Sequence, residues 1–269
     1  TAESFTGNVG LSTDGWGSLS NVGDIRASAP SGSTVLAAYL YTSTFFTTTT
    51  PSTVSFGGSS ISYTNTVSLP SPACCDLRAH RVDVTSLVKP VIDGGSGGVY
   101  NFGINEGSDG NSIDGHALVV VYSNPALPNS SVGILDGFAR VDGDTTSINF
   151  AKPLDPEADG FFADMVLGIG FSCCNSQQSR VEVNGQLLTQ NAGNKDDGVD
   201  GVSNGNLITV GSFDDPYSPI DPSYDEDHER YDLTSFIKKG DTSIKVDTFN
   251  ASRDDLIFLA AFHVSGEAG

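Results

Sequence analysis

Apolar residues in this chain recur in short runs, and turn-forming residues separate one run from the next. Residues 35–41, 99–104 and 118–122 are rich in β-branched and aromatic side chains, and Gly, Pro, Asn or Asp lie between them. Such runs predict β-strands. Further strands are predicted at residues 54–56, 61–63 and 244–249, the last as a half-buried strand on an edge or outer face. Helical turns are predicted only at residues 84–92 and 233–239, so the pattern indicates an all-β protein.

The chain also repeats itself. The clearest match pairs RVDVTSLVK at residues 81–89 with RYDLTSFIK at residues 230–238, where five of nine positions are identical. Four matched blocks occur in the same order in both halves: 9–16 with 132–138, 25–30 with 148–153, 81–89 with 230–238, and 114–122 with 254–262. The alternative explanation is that recurrent turn chemistry has produced look-alikes.

We therefore predict two tandem, duplicated β-sandwich modules of the jelly-roll type, because several short strands in a module of this length are typical of that architecture. The modules cover residues 1–123 and 130–269. Residues 124–129 form a stiff linker, since Pro125 and Pro128 favour an extended connection.

Two resemblances accompany this pattern. Residues 230–244 (RYDLTSFIKKGDTSI) resemble a stretch of galactose-binding-like jelly-roll modules, which implies a jelly-roll fold used for sugar binding or as a scaffold. Residues 225–231, 240–243 and 250–258, with the GILDGF segment at 133–138, resemble bacterial secreted proteins that carry a PEP-CTERM sorting tail. The second resemblance implies export to the extracellular space or cell surface.

Charge narrows the possible partners. The chain has 33 Asp and Glu against 13 Lys and Arg, a formal net charge of −20. Binding to a phosphate backbone requires clustered basic residues, so we expect no nucleic-acid partner. No apolar run approaches the roughly 18 residues of a membrane helix, and no signal-like segment follows Thr1, so we interpret the sequence as a mature or trimmed chain without a membrane span.

The densest acidic segment predicts a calcium site. Residues 214–229 contain seven carboxylates, three prolines and no Lys or Arg. Like charges at this density repel one another unless they are solvated or bridged, and Ca²⁺ takes six to eight oxygen ligands from such loops. The candidate ligands are Asp214, Asp215, Asp221, Asp225 and Asp227. The simpler interpretation is a solvated acidic loop.

Other short segments have calcium-like spacing, although no Glu closes a twelve-residue EF-hand loop in any of them. The alternative interpretation of these segments is an ordinary Asx turn that binds no ion. The candidate ligands there are Asp109, Asn111 and Asp114, then Asp196, Asp197 and Asp200, and finally Asp254 and Asp255 beside a predicted buried strand.

The four cysteines occur as two adjacent pairs, Cys74-Cys75 and Cys173-Cys174. Three pairings are possible. Bridges between the pairs close a loop of about 100 residues, which chain entropy values at roughly 4 to 5 kcal/mol, whereas bridges within a pair strain the backbone and gain little. Disulfide bridges of either kind, between the pairs or within them, imply an oxidising compartment. The remaining alternative is that the thiols are free or pair with another molecule.

The sequence contains no recognised catalytic motif, because the four histidines are scattered and no metal-binding helix or nucleophile elbow is found. We therefore expect a protein that is not an enzyme. The first hypothesis is an extracellular, calcium-binding structural or adhesive protein, such as a subunit of a fibre or surface layer that binds copies of itself. The second is a calcium-dependent, lectin-like protein that binds surface glycans, with Tyr217 and Tyr224 beside the acidic segment as stacking residues.

Overall fold

In a computed structural model the protein is all β, with four antiparallel sheets. The structure describes residues 2–18, 20–67, 75–137, 139–170, 179–190, 230–251, 253 and 256–269. One α-helix, α1 (Thr85–Asp93), occurs in these ranges. No helix in the same ranges is long and apolar enough to cross a membrane.

Two of the sheets form a first β-sandwich. Its inner sheet has the order β2 (Val9–Trp16), β10 (Ile113–Ser123), β4 (Thr34–Thr44), β8 (Arg78–Asp83) and β7 (Asn65–Val67). Its outer sheet has the order β3 (Val22–Ala29), β9 (Gly98–Asn105), β5 (Ser55–Phe56) and β6 (Ser59–Ser60).

The other two sheets form a second β-sandwich. Its inner sheet has the order β1 (Ala2–Gly7), β11 (Ser130–Asp136), β18 (Leu256–Val264), β13 (Ala163–Gly170) and β16 (Tyr231–Asp232). Its outer sheet has the order β12 (Asp144–Asn149), β17 (Ser243–Asn250), β14 (Ser179–Val183) and β15 (Gln186–Thr189).

The two sandwiches share a strand order. In the inner sheets, the order β2-β10-β4-β8 of the first sandwich corresponds to β11-β18-β13-β16 of the second. In the outer sheets, the order β3-β9-β5-β6 corresponds to β12-β17-β14-β15. Each strand of the first series occupies the place of its counterpart in the second. This correspondence supports the duplication, which remains a prediction.

Three apolar layers separate the four sheets. One lies inside each sandwich, around Ile25 and Leu118 in the first and around Met165 and Ile244 in the second. The third lies between the two inner sheets. An inner strand is therefore covered on both faces, which explains why residues 117–122 are apolar without a break and buried throughout.

The N-terminal strand connects the two sandwiches. β1 pairs with β11 of the second sandwich over Ala2–Gly7, and the chain then enters β2 of the first sandwich after Asn8. Gly7 turns the chain with a φ of +132°, a backbone conformation that favours glycine. Residues 2–7, which the sequence assigns to the first module, thus belong to a sheet of the second sandwich.

The local predictions can be compared with these bounds. The helical turns are confirmed by α1 and by a 3₁₀ turn at Thr234–Phe236. The strand at residues 61–63 is wrong: that segment is irregular, because Ile61 and Tyr63 both turn into the apolar layer of the first sandwich. The alternating strand is β17, which lies in an outer sheet as expected but between two neighbours rather than at the edge.

Candidate functional site

The predicted calcium loop at residues 109–114 is divided by the fold. Asp109 Oδ2 accepts hydrogen bonds from the backbone N–H groups of Ser52 (2.6 Å) and Thr53 (2.8 Å) and from Thr53 Oγ1 (2.9 Å). Burial opposes ionisation of Asp109, but the hydrogen bonds from Thr53 and Ser52 outweigh it and hold the pKa below its usual value. This carboxylate fastens the loop that follows β9 to residues 52–53.

The other two residues of that loop lie in different surroundings. Asn111 is exposed in the 3₁₀ turn Gly110–Ser112, whereas Asp114 is fully buried at the start of β10. Asp114 Oδ2 lies 3.8 Å from the position a β-carbon would occupy on Gly170 of the second sandwich. Asp114 thus faces the layer between the inner sheets.

Among the residues that the structure describes, no group of three or more His, Cys, Asp or Glu side chains is placed to hold a metal ion. Most predicted ligands lie outside that part of the chain, so their calcium sites remain predictions. Those outside it are Asp196, Asp197, Asp200, Asp214, Asp215, Asp221, Asp225, Asp227, Asp254 and Asp255, together with Tyr217, Tyr224, Cys74, Cys173 and Cys174.

A buried polar network that the sequence did not predict occupies one end of the first sandwich. His116 Nε2 lies 2.9 Å from Glu106 Oε1, and both side chains have no exposed surface. On its other side the ring meets Thr42 Oγ1 at 2.8 Å, and Thr42 Oγ1 lies 2.6 Å from the hydroxyl of Tyr63. Trp16 stacks on the imidazole with ring centroids 5.7 Å apart.

The hydrogen-bonded side chains are linked in the order found in catalytic acid–base relays, but they are buried away from solvent. Ser18 Oγ donates to Glu106 Oε1 at 2.7 Å, so the carboxylate is held from two directions. Because Glu106, His116 and Thr42 are all fully buried, no substrate reaches them. The network joins β10, β4 and the loop after β9. Sequence reasoning missed it because Glu106 and His116 stand among turn residues with no recognisable motif.

A second polar cluster joins the two sandwiches. Arg81 of β8 contacts Asp136 Oδ2 of β11 at 2.8 Å and Glu3 Oε1 of β1 at 3.1 Å. Its guanidinium also lies 4.8 Å from the ring centre of Tyr39, and the Tyr39 hydroxyl donates to Glu3. Desolvation alone would lower the pKa of Arg81, but its hydrogen bond to Tyr41 and the charge of Asp136 raise it. The cluster fastens the N-terminal strand to both sandwiches.

Two neighbouring cavities lie between the inner and outer sheets of the second sandwich, beside β12, and are together called the groove. Its larger part has a volume of about 370 Å³ and is lined mainly by apolar residues, with Asp136, Asp144, Thr146 and Thr248 among the polar ones. Its smaller part has a volume of about 280 Å³ and extends from β1 to the C-terminal residues. Leu135 lines both parts.

The first sandwich is closed at the corresponding edge. There the N–H of Arg26 donates to Asp14 Oδ2 at 2.6 Å, and the N–H of Ser28 donates to Ser12 Oγ at 2.8 Å. Side chains of β2 therefore bind the backbone of β3 and seal the seam between the sheets. The groove is a feature of the second sandwich.

Comparisons with known proteins add little to this geometry. No family model matches the chain, and no curated protein matches it. Among solved structures, BuGH86 in complex with neoagarooctaose is similar over 91% of this chain at 11% identity and a TM-score of 0.27. A β-porphyranase of glycoside hydrolase family 86 from the human gut bacterium Bacteroides plebeius is similar over 91% at 11% identity and a TM-score of 0.26. This chain spans about a third of the length of each, 33% and 35%.

Proposed function

We propose that this chain is an extracellular structural or adhesive protein whose Asp-rich loops bind Ca²⁺. The observation that carries the proposal is the fusion of two β-sandwiches through a third apolar layer, with Arg81, Glu3 and Asp136 bridging them. A body of four stacked sheets joined by three buried apolar clusters resists deformation, because packed apolar layers hold neighbouring sheets together. Such a body suits a subunit of a fibre or surface layer.

The proposed location rests on cysteine chemistry and on the resemblance to secreted proteins. Cys75 packs against the layer between the inner sheets, and the other three cysteines lie outside the described residues. The disulfides expected from the two cysteine pairs would persist in an oxidising compartment, which is consistent with secretion.

The proposed role is not enzymatic. The His116–Glu106 pair is a hydrogen-bonded acid and base, but its complete burial fits a structural part in the first sandwich. Activity would have to arise elsewhere in the chain. Turnover of a polysaccharide or ester substrate by the purified protein would contradict this part of the proposal.

Calcium is tested by melting the protein with and without the ion. Dialysis against EDTA should lower the melting temperature, and millimolar Ca²⁺ should restore it, because an ion that binds only the folded state stabilises it by mass action. Mg²⁺ at the same concentration should restore less, since it requires stricter geometry. The variant Asp225→Asn/Asp227→Asn should lose much of the calcium response. An unchanged melting temperature in EDTA would exclude the calcium site.

Assembly needs a separate measurement. Electron microscopy of the purified protein in millimolar Ca²⁺ should show fibres or sheets, and the same sample in EDTA should show fewer. Single particles under both conditions would exclude a polymer and leave an adhesive role.

Carbohydrate binding is the second candidate. It is favoured by the galactose-binding-like stretch, whose strand, turn and strand are observed as β16, the 3₁₀ turn Thr234–Phe236 and β17. A glycan array probed with and without Ca²⁺ separates the two candidates. Saturable, calcium-dependent binding that Tyr217→Ala or Tyr224→Ala abolishes would favour the lectin.

A further inference from the structure

We propose that the groove beside β12 is a docking site for an extended peptide of another protein, which adds to the outer sheet of the second sandwich as a further strand. The proposal concerns a surface that the calcium loops do not include, so it holds or fails independently of calcium binding and polymerisation. Four observations support it: a strand edge with an exposed Ser147, pairing already begun by the chain itself, an apolar groove beneath the edge, and an exposed carboxylate, Asp144, at one end.

Among the described residues, β12 is the outermost strand of its sheet and pairs with β17 only. Part of its outward edge is occupied locally, because the N–H of Thr145 donates to Asp144 Oδ1 at 2.8 Å. Phe150 donates its N–H to Thr242 O on the β17 side, whereas Asn149 O accepts from Gly269 N on the opposite side. Because backbone groups alternate in direction along a strand, Thr145 and Ser147 direct theirs to the same side as Asn149. Ser147 is exposed, and its backbone is the free template for a new strand.

The C-terminal residues have already begun such a strand. Phe150 and Ala268 form an antiparallel bridge, Ala151 N donates to Glu267 O at 2.9 Å, and Gly269 N donates to Asn149 O at 3.0 Å. A strand that continues this pairing runs antiparallel to β12, from Asn149 towards Asp144. It passes directly over the groove.

The groove has room for side chains because the second sandwich lacks counterparts of Ser12 and Asp14, the residues that close the same seam in the first sandwich. In the strand register, Ser12 and Asp14 lie opposite Val120 and Leu118 of β10. At the matching positions of β18, Leu135 lies opposite Ala260 and the N–H of Gly137 donates to Phe258 O, so Leu135 takes the place of Ser12 and Gly137 that of Asp14. Neither Leu135 nor Gly137 has a side chain that can accept a hydrogen bond from β12. Leu135, Ile148 and Ala260 are thereby left half-buried, whereas the β3 residues Ile25 and Ala27 are fully buried.

The shape and charge of the groove define the peptide. Paired residues on neighbouring antiparallel strands point to the same face, so the peptide residues opposite Ile148 and Thr146 enter the groove and should be apolar. Asp144 lines the far end with an exposed side chain, whereas the carboxylates of Asp136 and Glu3, which also line the groove, are bound by Arg81. No Lys or Arg lines either part among the described residues. A basic residue at the C-terminal end of the peptide complements that end. Main-chain hydrogen bonds would supply affinity and the alternate side chains specificity.

Charge also decides between another protein and a second copy of this chain. Where no bound cation offsets it, the net charge of −20 opposes self-association, and the exposed Asp144 at the end of the groove favours a positively charged partner residue. We therefore assign the site to a separate protein that presents a strand of alternating apolar residues followed by Lys or Arg.

The test uses a labelled synthetic peptide with alternating valine and threonine, two lysines at its C-terminal end and an amidated terminus. Fluorescence anisotropy should show saturable binding to the wild-type protein. Ser147→Pro removes the outward N–H, and Ala260→Phe fills the groove from β18, so each should weaken binding at least tenfold. Asp24→Pro places the same change at the corresponding position of β3 and should leave binding unchanged. Moving the lysines to the N-terminal end should weaken binding at least fivefold.

Several results would overturn the proposal. These are no binding to the wild type, equal binding to Ser147→Pro and Ala260→Phe, or an equal loss in Asp24→Pro. Concentration-dependent dimers in sedimentation that Ser147→Pro abolishes would show that a second copy, not another protein, occupies the edge. If either groove variant fails to fold, hydrogen exchange of backbone amides in the wild-type protein replaces it. The peptide should slow exchange at Ser147 but not at Asp24. Unchanged exchange at Ser147 would exclude the site.

Discussion

Single buried charges add to the apolar contact that connects the two sandwiches. Arg81 is 11% exposed and Asp136 only 2%, so each ion depends on the other for the interactions that water would otherwise provide. Removing one member of such a pair costs more than replacing both, because the remaining charge is left buried.

Arg81→Met should lower the free energy of unfolding by about 3 kcal/mol, since Asp136 and Glu3 lose their cation. The double variant Arg81→Met/Asp136→Leu should lose less than the sum of the single variants, with a coupling of roughly 1 kcal/mol or more. Urea unfolding of all three provides the measurement. Lys89→Met is the control, because Lys89 and Asp93 form an exposed pair, which should be worth under about 0.5 kcal/mol. Additive losses would show that the two residues act independently.

Two buried histidines should make stability depend on pH. Burial, assisted by the charge of Arg230, lowers the pKa of His263 to about 4, although its hydrogen bond to Val9 O opposes the shift. Burial and the charge of Arg78 lower the pKa of His80 to about 4. Between the unfolded pKa of about 6.5 and a folded pKa near 4, the unfolded chain binds more protons, so stability falls as the pH falls.

Each histidine should therefore cost on the order of 3 kcal/mol as the pH falls from about 7 to 4. His263→Gln retains a donor for Val9 O but does not titrate, so it should flatten the decline relative to the wild type. Urea unfolding at several pH values between 7.5 and 4 measures this effect. His80→Asn provides the same comparison on the other sandwich. Identical pH profiles for wild type and variants would contradict the assignment.

At the level of the strand, β1 is the element that connects the modules. It pairs with β11 over six residues, Phe5 packs partly against the layer between the inner sheets, and Glu3 contacts Arg81. A variant that lacks residues 1–7 should lose about 3 kcal/mol or more, because it loses apolar burial and an ion-pair partner together. Amide exchange should then accelerate in β11 before it does in β9, which lies in the far outer sheet. Equal acceleration in β9 would indicate a general loosening.

Sequence pattern predicts the strands better than their arrangement. Short apolar runs with turn residues between them identify β4, β9 and β10, and alternation of apolar and polar residues identifies β17. The strand position of residues 2–7 could not be predicted, since nothing local distinguishes pairing with β11 from pairing within the first module. The Glu106–His116 pair and the groove could not be predicted for the same reason. Both depend on which strands become neighbours, and tertiary packing rather than local sequence determines that.

At the level of the whole molecule, the layer between the inner sheets makes the two sandwiches interdependent. Tyr41 and Val119 on one side face Ile134, Val166 and Phe258 on the other, and all five are buried. A single sandwich would expose this face as an apolar patch far larger than soluble monomers usually carry.

The halves should therefore fold as partners. Residues 1–123 or 130–269 expressed alone should be recovered mostly as aggregate, whereas co-expression with a tag on one half should yield a soluble 1:1 complex. The complex should survive high salt, because apolar burial rather than charge supplies most of its stability. A charged residue at the centre of the layer, as in Val119→Asp, should prevent co-purification, while Val99→Asp changes an exposed valine of the far sheet and should not. If each half proves soluble and monomeric alone, the layer is dispensable, and the rigid four-sheet body on which the structural role depends would have to be abandoned.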